Sequence, residues 1–221
     1  MKDVLFPVVK KKNLYWLFVP AGILLSVIVW LVFISNDNRP DEWVFSTLSP
    51  HITAARTGIM KKISFFANHK FLIPANLLLT VYFLVRRNKH LAIVTMTVAF
   101  SSLIIMSLLK NVTQRHRPAG SLVEGITNYS FPSGHAFMGV AFYGLLIWVT
   151  FQKVDGKWNR LGITSFVLLV LLAIGISRIY LRVHYCTDVL AGFCLGTMWL
   201  LICLALVNKT LQRNNATIKP V

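Results

Sequence analysis

Three short stretches of the chain concentrate side chains that can hold an anion and move a proton. They follow the patterns K-x6-R-P (residues 110–118), P-S-G-H (132–135) and S-R-x5-H-x3-D (177–188). Ionisable groups are costly in or beside a bilayer and usually serve function there. Because the rest of the chain is strongly apolar, these stretches are the place to look for chemistry. The ionisable residues at the fixed positions of these patterns are Lys110, Arg117, His135, Arg178, His184 and Asp188.

The third stretch predicts a histidine that is oriented by a carboxylate. If it leads into a helix, His184 and Asp188 lie four residues apart on one face. The carboxylate can then accept a hydrogen bond from one imidazole nitrogen, which leaves the other nitrogen free as a nucleophile. A purely structural cap at the start of a helix, made by the same two residues, is the alternative.

The second stretch predicts a turn that opens a helix. Gly134 permits close approach of the backbone, and free N–H groups at a helix N-terminus bind anions. Ser133 can add a hydroxyl donor, and His135 is placed to give a proton to a departing oxygen. Taken alone, these residues also fit an ordinary turn before a helix.

The first stretch supplies positive charge. Lys110 ends an apolar run, where a lysine can also be a simple snorkelling anchor. Arg117 precedes a proline and is therefore expected in a loop, where it could be an ordinary surface cation. Arginine forks bind phosphate oxygens in pairs, and nearby cations stabilise phosphoryl transfer. Together with Arg178, these residues predict a phosphate site.

The elements that must position these residues are apolar helices. The chain of 221 residues is 56% hydrophobic and only 14% charged, which is too apolar for an ordinary soluble domain. A helix needs about 20 apolar residues to cross the hydrocarbon core. We predict an all-α integral membrane protein, a six-transmembrane-helix bundle forming one domain over residues 1–221. The six runs are Leu14–Ile34, Phe71–Val85, Leu91–Leu109, Ala136–Phe151, Leu161–Ile176 and Val189–Val207.

The first run and the segment after it need separate comment. Leu14–Ile34 is too long for a signal peptide and lacks a cleavage pattern, so a retained helix is expected. In the connection from Ser35 to Lys70, Ile59, Ile63 and Phe66 recur at helical spacing. This pattern predicts a short amphipathic interfacial helix in the first extracytoplasmic loop. Such a helix could admit a lipid headgroup or simply cover the bundle.

The short connections predict the orientation in the membrane. With six spans, both termini share a side with the connections at 86–90 and 152–160, and that side carries 13 of the 23 lysines and arginines. An excess of positive charge marks cytoplasmic segments. The three stretches then face away from the cytoplasm, which in a bacterium is the periplasm. The 13 are Lys2, Lys10, Lys11, Lys12, Arg86, Arg87, Lys89, Lys153, Lys157, Arg160, Lys209, Arg213 and Lys219.

Charge and cysteine content narrow the possible partners. The net charge of +16 is scattered between apolar runs, which fits cytoplasmic loops and anionic lipid headgroups and predicts no nucleic-acid partner. Cys186, Cys194 and Cys203 lack the spacing of a zinc site or a disulfide framework. No metal is therefore expected.

The ordered stretches resemble the three-block signature of the type 2 phosphatidic acid phosphatase (PAP2) superfamily. The likeness from Lys110 to Asp188 covers about a third of the chain. Arg115 is a frequent companion in this family, and His116 stands where members often have proline. The matched positions are Lys110, Arg117, Pro118, Pro132, Ser133, Gly134, His135, Ser177, Arg178, His184 and Asp188.

The resemblance implies a metal-independent lipid phosphate phosphatase that needs no cofactor. His184, oriented by Asp188, would attack phosphorus to form a phosphohistidine, and His135 would protonate the leaving oxygen before water releases phosphate. Similar bacterial enzymes of the inner membrane act on undecaprenyl diphosphate, phosphatidylglycerol phosphate or lipid A phosphates. The implied phosphate-binding residues are Lys110, Arg117, Ser133, Gly134 and Arg178.

Two other functions stay open at the level of sequence. A lipid phosphotransferase would pass the same phosphoryl group to an acceptor hydroxyl instead of water. A channel, transporter or scaffold could carry these residues without catalysis. The oligomeric state is not indicated by any pattern in the chain.

Overall fold

The apolar runs form helices that extend beyond the runs themselves. The computed structural model describes residues 11–217, with side chains from 16 to 207. Lys2, Lys10 and Lys219, which belong to the predicted cytoplasmic set, lie outside the described residues. Within those residues the secondary structure is helical and contains no strand. The α-helices are α1 (Lys11–Val29), α2 (Arg39–Leu48), α3 (Ala54–Phe65), α4 (His69–Val85), α5 (Lys89–Thr113), α6 (Gly134–Lys153), α7 (Lys157–Tyr180) and α8 (Cys186–Thr217).

Six segments of the described chain are long and apolar enough to cross a membrane, as predicted. The first is α1 together with the π-helical turn Trp30–Ile34 that follows it. Polar caps, which the apolar pattern ignores, set two of the helix starts. The Asn68 side chain accepts a hydrogen bond from the Lys70 backbone N–H at the start of α4, and Asn88 caps α5 in the same way.

Helix α6 lies at the centre of the bundle, packed against α5, α7 and α8. Its contact with α8 is especially close because Gly192 and Gly196 face it. A Cβ atom on Gly192 would lie only 2.7 Å from the carbonyl oxygen of Ser133, and one on Gly196 would lie 2.8 Å from that of Phe137. Small residues allow helix backbones to approach in this way. The start of α6 is thereby held against the first turns of α8.

The connection between α1 and α4 holds two short helices, one more than predicted. The amphipathic segment forms α3, which packs against α7 with Ser64 buried and Ile59 exposed. Helix α2 was not predicted. Pro40 and two acidic residues in its first turn favour a helix start at this point, because proline fits the first turn and negative charge complements the helix dipole. Helix α2 packs against α8.

Candidate active site

The three stretches meet at one end of the bundle. The Lys110 Nζ atom, in the last turn of α5, donates to the carbonyl of Tyr129 at 2.5 Å. The Lys110 Cε atom lies 3.8 Å from the position a Cβ would take on Gly134. The Ser133 N–H donates to the carbonyl of Asp188 at 2.9 Å, and Arg117 Nη1 lies 3.4 Å from His184 Nε2. Each stretch therefore contacts the other two.

The predicted His184–Asp188 pair is adjacent but not hydrogen-bonded. His184 is 2% exposed, and its Nδ1 lies 3.6 Å from Asp188 Oδ2, longer than a hydrogen bond. Within the described residues that nitrogen has no hydrogen-bond partner. The expected shared helical face is also wrong, because α8 begins at Cys186 and His184 precedes it.

Asp188 is occupied by other donors, which explains the gap. Its Oδ2 accepts hydrogen bonds from the Ser130 hydroxyl and, at 2.9 Å, from the Tyr185 backbone N–H. The bond from the Tyr185 N–H caps helix α8. Asp188 is the third residue of that helix, and its carboxylate accepts from the residue that precedes the helix. Asp188 therefore caps α8 through Tyr185, and His184 lies beside the carboxylate without taking part in the cap.

The His184 imidazole is neutral near pH 7. Burial lowers its pKa from 6.5 to about 4, although Asp188 acts in the opposite direction and Arg117 and Arg178 reinforce the effect of burial. A neutral imidazole keeps a lone pair on one nitrogen. If the proton sits on Nδ1, which faces the carboxylate, the lone pair is on Nε2, where it accepts a hydrogen bond from Arg117 Nη1 at 3.4 Å.

Arg117 lies in the loop after α5, as the proline that follows it predicts. Its guanidinium donates to the Asn128 carbonyl at 2.7 Å and the Tyr129 carbonyl at 3.3 Å, and also to the Val183 carbonyl and the Asn128 side-chain oxygen. Burial lowers the pKa of Arg117. These contacts fix the planar group beside the His184 ring.

Two buried donors of the site lack a partner among the described residues. Arg178 is 5% exposed, and its Nη1 donates to the Ser64 hydroxyl at 2.5 Å while its Nε is unpaired. The Ser133 hydroxyl is also buried and unpaired, and it makes no cap to α6. Buried polar groups are nearly always satisfied. A tetrahedral anion at the start of α6 would supply acceptors for both.

The first turn of α6 supplies the remaining predicted groups. Gly134 begins the helix, so its N–H and that of His135 have no partner within the helix. His135 is partly exposed and interacts electrostatically with His184, Arg178 and Lys110. It can therefore exchange a proton with a group bound among these side chains.

Sequence reasoning missed a second layer behind Asp188. The Arg115 guanidinium donates through Nη1 to Asp188 Oδ1 at 2.6 Å and through Nη2 to Asp41 Oδ2 at 3.0 Å. Asp41 also accepts from the Thr187 N–H at 2.9 Å and its hydroxyl at 2.7 Å. Only the scarcity of acidic residues, seven in the chain, could have drawn attention to Asp41.

The donor set at this site favours an anion. In residues 11–217 no group of three or more histidines, cysteines or acids is placed to hold a metal ion. The side chains around His184 are instead cationic, and Lys110 interacts electrostatically with both Arg117 and Arg178. Such a cluster attracts phosphate oxygens and repels metal cations.

Comparison with known proteins identifies the family. The model of the PAP2 superfamily matches residues 90–212, more than half of the chain. The chain belongs to the PAP2 superfamily. An undecaprenyl-diphosphatase of Sulfolobus acidocaldarius is 28% identical over 195 residues, 85% of this chain and 88% of that protein. Phosphatidylglycerophosphatase B of Bacillus subtilis is 28% identical over 143 residues, 63% of this chain and 70% of that protein.

A solved structure supports the same PAP2 fold. The crystal structure of a transmembrane PAP2-type phosphatidylglycerolphosphate phosphatase from Bacillus subtilis superposes with a TM-score of 0.77. The match covers 92% of this chain and 98% of that one at 21% identity, which establishes the fold alone. The protein is thus an integral membrane PAP2 protein with lipid phosphatases among its relatives.

Proposed function

We propose that this protein hydrolyses the phosphate monoester or diphosphate of a membrane lipid through a phosphohistidine intermediate. The observation that carries the proposal is the 3.4 Å approach of Arg117 Nη1 to His184 Nε2, in a site whose Arg178 Nε and Ser133 hydroxyl have no partner among the described residues. A buried neutral nucleophile in a site with donors that lack acceptors is suited to attack on a bound phosphoryl group.

In the first chemical step His184 Nε2 attacks phosphorus, and the bond from phosphorus to the lipid oxygen breaks. His135 gives its proton to that leaving oxygen, so the lipid product departs neutral at this position. The developing positive charge on the His184 ring is stabilised by Asp188 on the Nδ1 side. The product is a phosphohistidine.

In the second step water attacks the phosphorus of the phosphohistidine. His135, now deprotonated, takes the proton from that water, and the bond to Nε2 breaks to free inorganic phosphate. The protons balance because His135 gives one proton in the first step and regains one in the second. His135 thus acts as an acid in the first step and as a base in the second, while His184 is first the nucleophile and then the leaving group.

Charge stabilisation in this scheme comes from the protein, without a metal ion. Lys110, Arg117 and Arg178 surround the phosphoryl oxygens, with the Ser133 hydroxyl and the Gly134 N–H completing the set. A single donor aimed at developing charge contributes about 10²–10³ in rate. Three cations and two neutral donors are therefore a sufficient source of catalysis.

The substrate we propose is a lipid phosphate or diphosphate at the extracytoplasmic face. The names of the relatives, an undecaprenyl-diphosphatase and a phosphatidylglycerophosphatase, support this class. The charge asymmetry of the loops supports cytoplasmic termini and a site facing the periplasm of a bacterial inner membrane. The other expected partners are membrane lipids.

Phosphate release from purified lipids tests the proposal directly. The detergent-solubilised protein is incubated with undecaprenyl diphosphate, phosphatidylglycerol phosphate, phosphatidic acid and a lipid A phosphate, and free phosphate is measured. Release from at least one lipid is expected. A labelled phosphoryl group that appears on a new lipid instead would identify a phosphotransferase. No turnover of any lipid would refute the enzymatic proposal.

The covalent intermediate has its own test. Acid lability and alkali stability of the label on denatured protein identify phosphohistidine. With labelled substrate and a rapid denaturing quench, the wild-type protein should carry such a label. A His184→Gln variant should carry none. Equal labelling of both proteins would exclude His184 as the nucleophile.

A further inference from the structure

Asp41 is a buried carboxylate at the active-site end that the proposed chemistry does not use. It lies in the first turn of α2, 1% exposed, and comes from the connection between α1 and α4. Within the described residues, the hydrogen bonds of its carboxylate are made to Thr187 and Arg115. Arg115 also donates to Asp188, and Thr187 precedes Asp188 in the sequence. Asp41 is therefore linked to Asp188 through these two residues.

Arg115 is shared between two carboxylates. Its Nη1 donates to Asp188 Oδ1 at 2.6 Å, and its Nη2 donates to Asp41 Oδ2 at 3.0 Å. The guanidinium also stacks on the Tyr185 ring at 4.0 Å, which fixes its plane. One nitrogen of the fork is therefore committed to each acid, and Asp188 receives a single hydrogen bond from Arg115.

We propose that Asp41 is a positioning residue that keeps Arg115 from binding Asp188 through both oxygens. Arginine prefers bidentate pairing with a carboxylate. Without Asp41, the free Nη2 would turn toward Asp188 Oδ2, the oxygen that lies nearest to His184 Nδ1. The carboxylate would then rotate away from the imidazole that it must stabilise. This inference rests on the phosphatase function proposed above.

Apolar contacts also dock α2, in addition to the hydrogen bonds of this carboxylate. Val44, Phe45 and Leu48 of α2 pack against buried apolar residues of α6, α7 and α8. The Phe45 ring also contacts the Tyr185 ring at a centroid distance of 5.8 Å. These apolar contacts would hold α2 in place if the charge of Asp41 were removed. A loss of activity can therefore be separated from a loss of structure.

The first experiment compares Asp41→Asn with wild-type protein on a purified lipid phosphate. The isosteric amide has one acceptor oxygen, so it cannot replace both Oδ1, which accepts from the Thr187 N–H, and Oδ2, which accepts from Arg115 and the Thr187 hydroxyl. We expect kcat to fall about 10- to 100-fold, the usual effect of losing an outer-shell partner. KM should change less than about threefold, because the phosphate-binding groups stay in place. Glu42→Gln, an exposed neighbour in the same turn, is the matched control and should keep wild-type kcat.

A double-mutant cycle distinguishes positioning from structural support. Single-turnover rates are measured for Asp188→Asn with and without Asp41→Asn. If Asp41 acts only through Asp188, the second substitution should cost less than about threefold in that background. A full additive loss would mean that Asp41 supports the structure independently, and the inference would be wrong. Wild-type kcat in Asp41→Asn would overturn it as well.

Arg115→Lys supplies a background in which Asp188 cannot be bound through both oxygens, because lysine keeps the positive charge but lacks the planar fork. Asp41→Asn should therefore lower kcat by less than about threefold relative to Arg115→Lys, and a full loss of about 10- to 100-fold in that background would overturn the inference. If Asp41→Asn does not fold with arginine at position 115, the comparison of Arg115→Lys with the Asp41→Asn, Arg115→Lys double variant carries the test. An inactive wild-type protein would instead refute the phosphatase function itself, so the two failures are distinguishable.

Discussion

Replacing Arg178 by methionine should separate activity from stability. Methionine resembles the apolar stem of arginine in length but removes the guanidinium. Arg178 is buried, and among the described residues no carboxylate lies within ion-pair distance of it. Its guanidinium Nη1 donates a hydrogen bond to the Ser64 hydroxyl. The charge is thus held in the site without an ionic partner among the side chains that the structure describes.

The expected size of the effect follows from this geometry. A phosphoryl oxygen about 4 Å from the guanidinium gains about 4 kcal/mol at an effective dielectric constant near 20. That energy corresponds to about 10³ in rate. Loss of a single charge-stabilising donor typically costs about 10²–10³. We therefore expect kcat/KM of Arg178→Met to fall by about 10²–10³.

Folding stability should not fall with activity. An unpaired buried charge costs several kcal/mol of desolvation, whereas the Ser64 hydrogen bond returns only about 1–3 kcal/mol. The melting temperature of Arg178→Met should therefore equal or exceed that of the wild type. Such a trade between stability and activity is common where a site stores unpaired charge.

The assay combines kinetics with thermal unfolding in detergent. Inorganic phosphate at about 100 times its dissociation constant should stabilise the wild type by about 2.7 kcal/mol and should stabilise Arg178→Met much less. Arg182→Met, four residues further along, serves as the control and should keep activity within about threefold. Undiminished kcat/KM in Arg178→Met, or equal phosphate stabilisation of both proteins, would refute the reasoning.

Four further outcomes can be measured. His184→Ala should abolish turnover and leave the melting temperature within a few degrees, and full activity would exclude its role as nucleophile. Because burial lowers the pKa of His184 to about 4, protonation of this imidazole should set an acid limb of kcat/KM near pH 4, not 6.5. The contribution of His184 to the free energy of unfolding should also fall as the pH drops from 6.5 through 4. Activity should survive EDTA, and a loss restored by divalent ions would contradict the metal-free scheme. Gly192→Ala should cost about 1–3 kcal/mol of stability, because its Cβ would lie 2.7 Å from the Ser133 carbonyl, whereas Gly162→Ala, with open space around it, should not destabilise.

The six membrane helices could be predicted because hydrophobic length alone encodes them. The helix ends could not be predicted from the same signal. Asn68 and Asn88 cap α4 and α5 outside the apolar runs, so both helices begin at polar residues. Helix α2 was not predicted because its apolar face is short and its Asp41 carboxylate is buried. The formation of α2 depends on contacts with α8, which no local sequence pattern indicates.

The members of the candidate site were accessible from the sequence, but their mutual geometry was not. The spacing of His184 and Asp188 suggested a helical pair with a direct hydrogen bond. The structure ends α7 at Tyr180 and begins α8 at Cys186, which leaves the histidine in the turn between them. Competing donors, one of them the nearby Tyr185 N–H and the others 58 and 73 residues away in sequence, then decide what the carboxylate binds. The catalytic roles themselves stay predictions.

The way Arg117 is held has a consequence for electrostatics. Its partners are main-chain carbonyls, one amide oxygen and the neutral His184 ring, which are dipoles without net charge. A carboxylate partner would have oriented the guanidinium equally well but would have neutralised it. Dipoles aim the group and leave its full unit of charge directed at an incoming anion. The Arg117 guanidinium is thus oriented without being neutralised, and the site stays electropositive until a ligand binds.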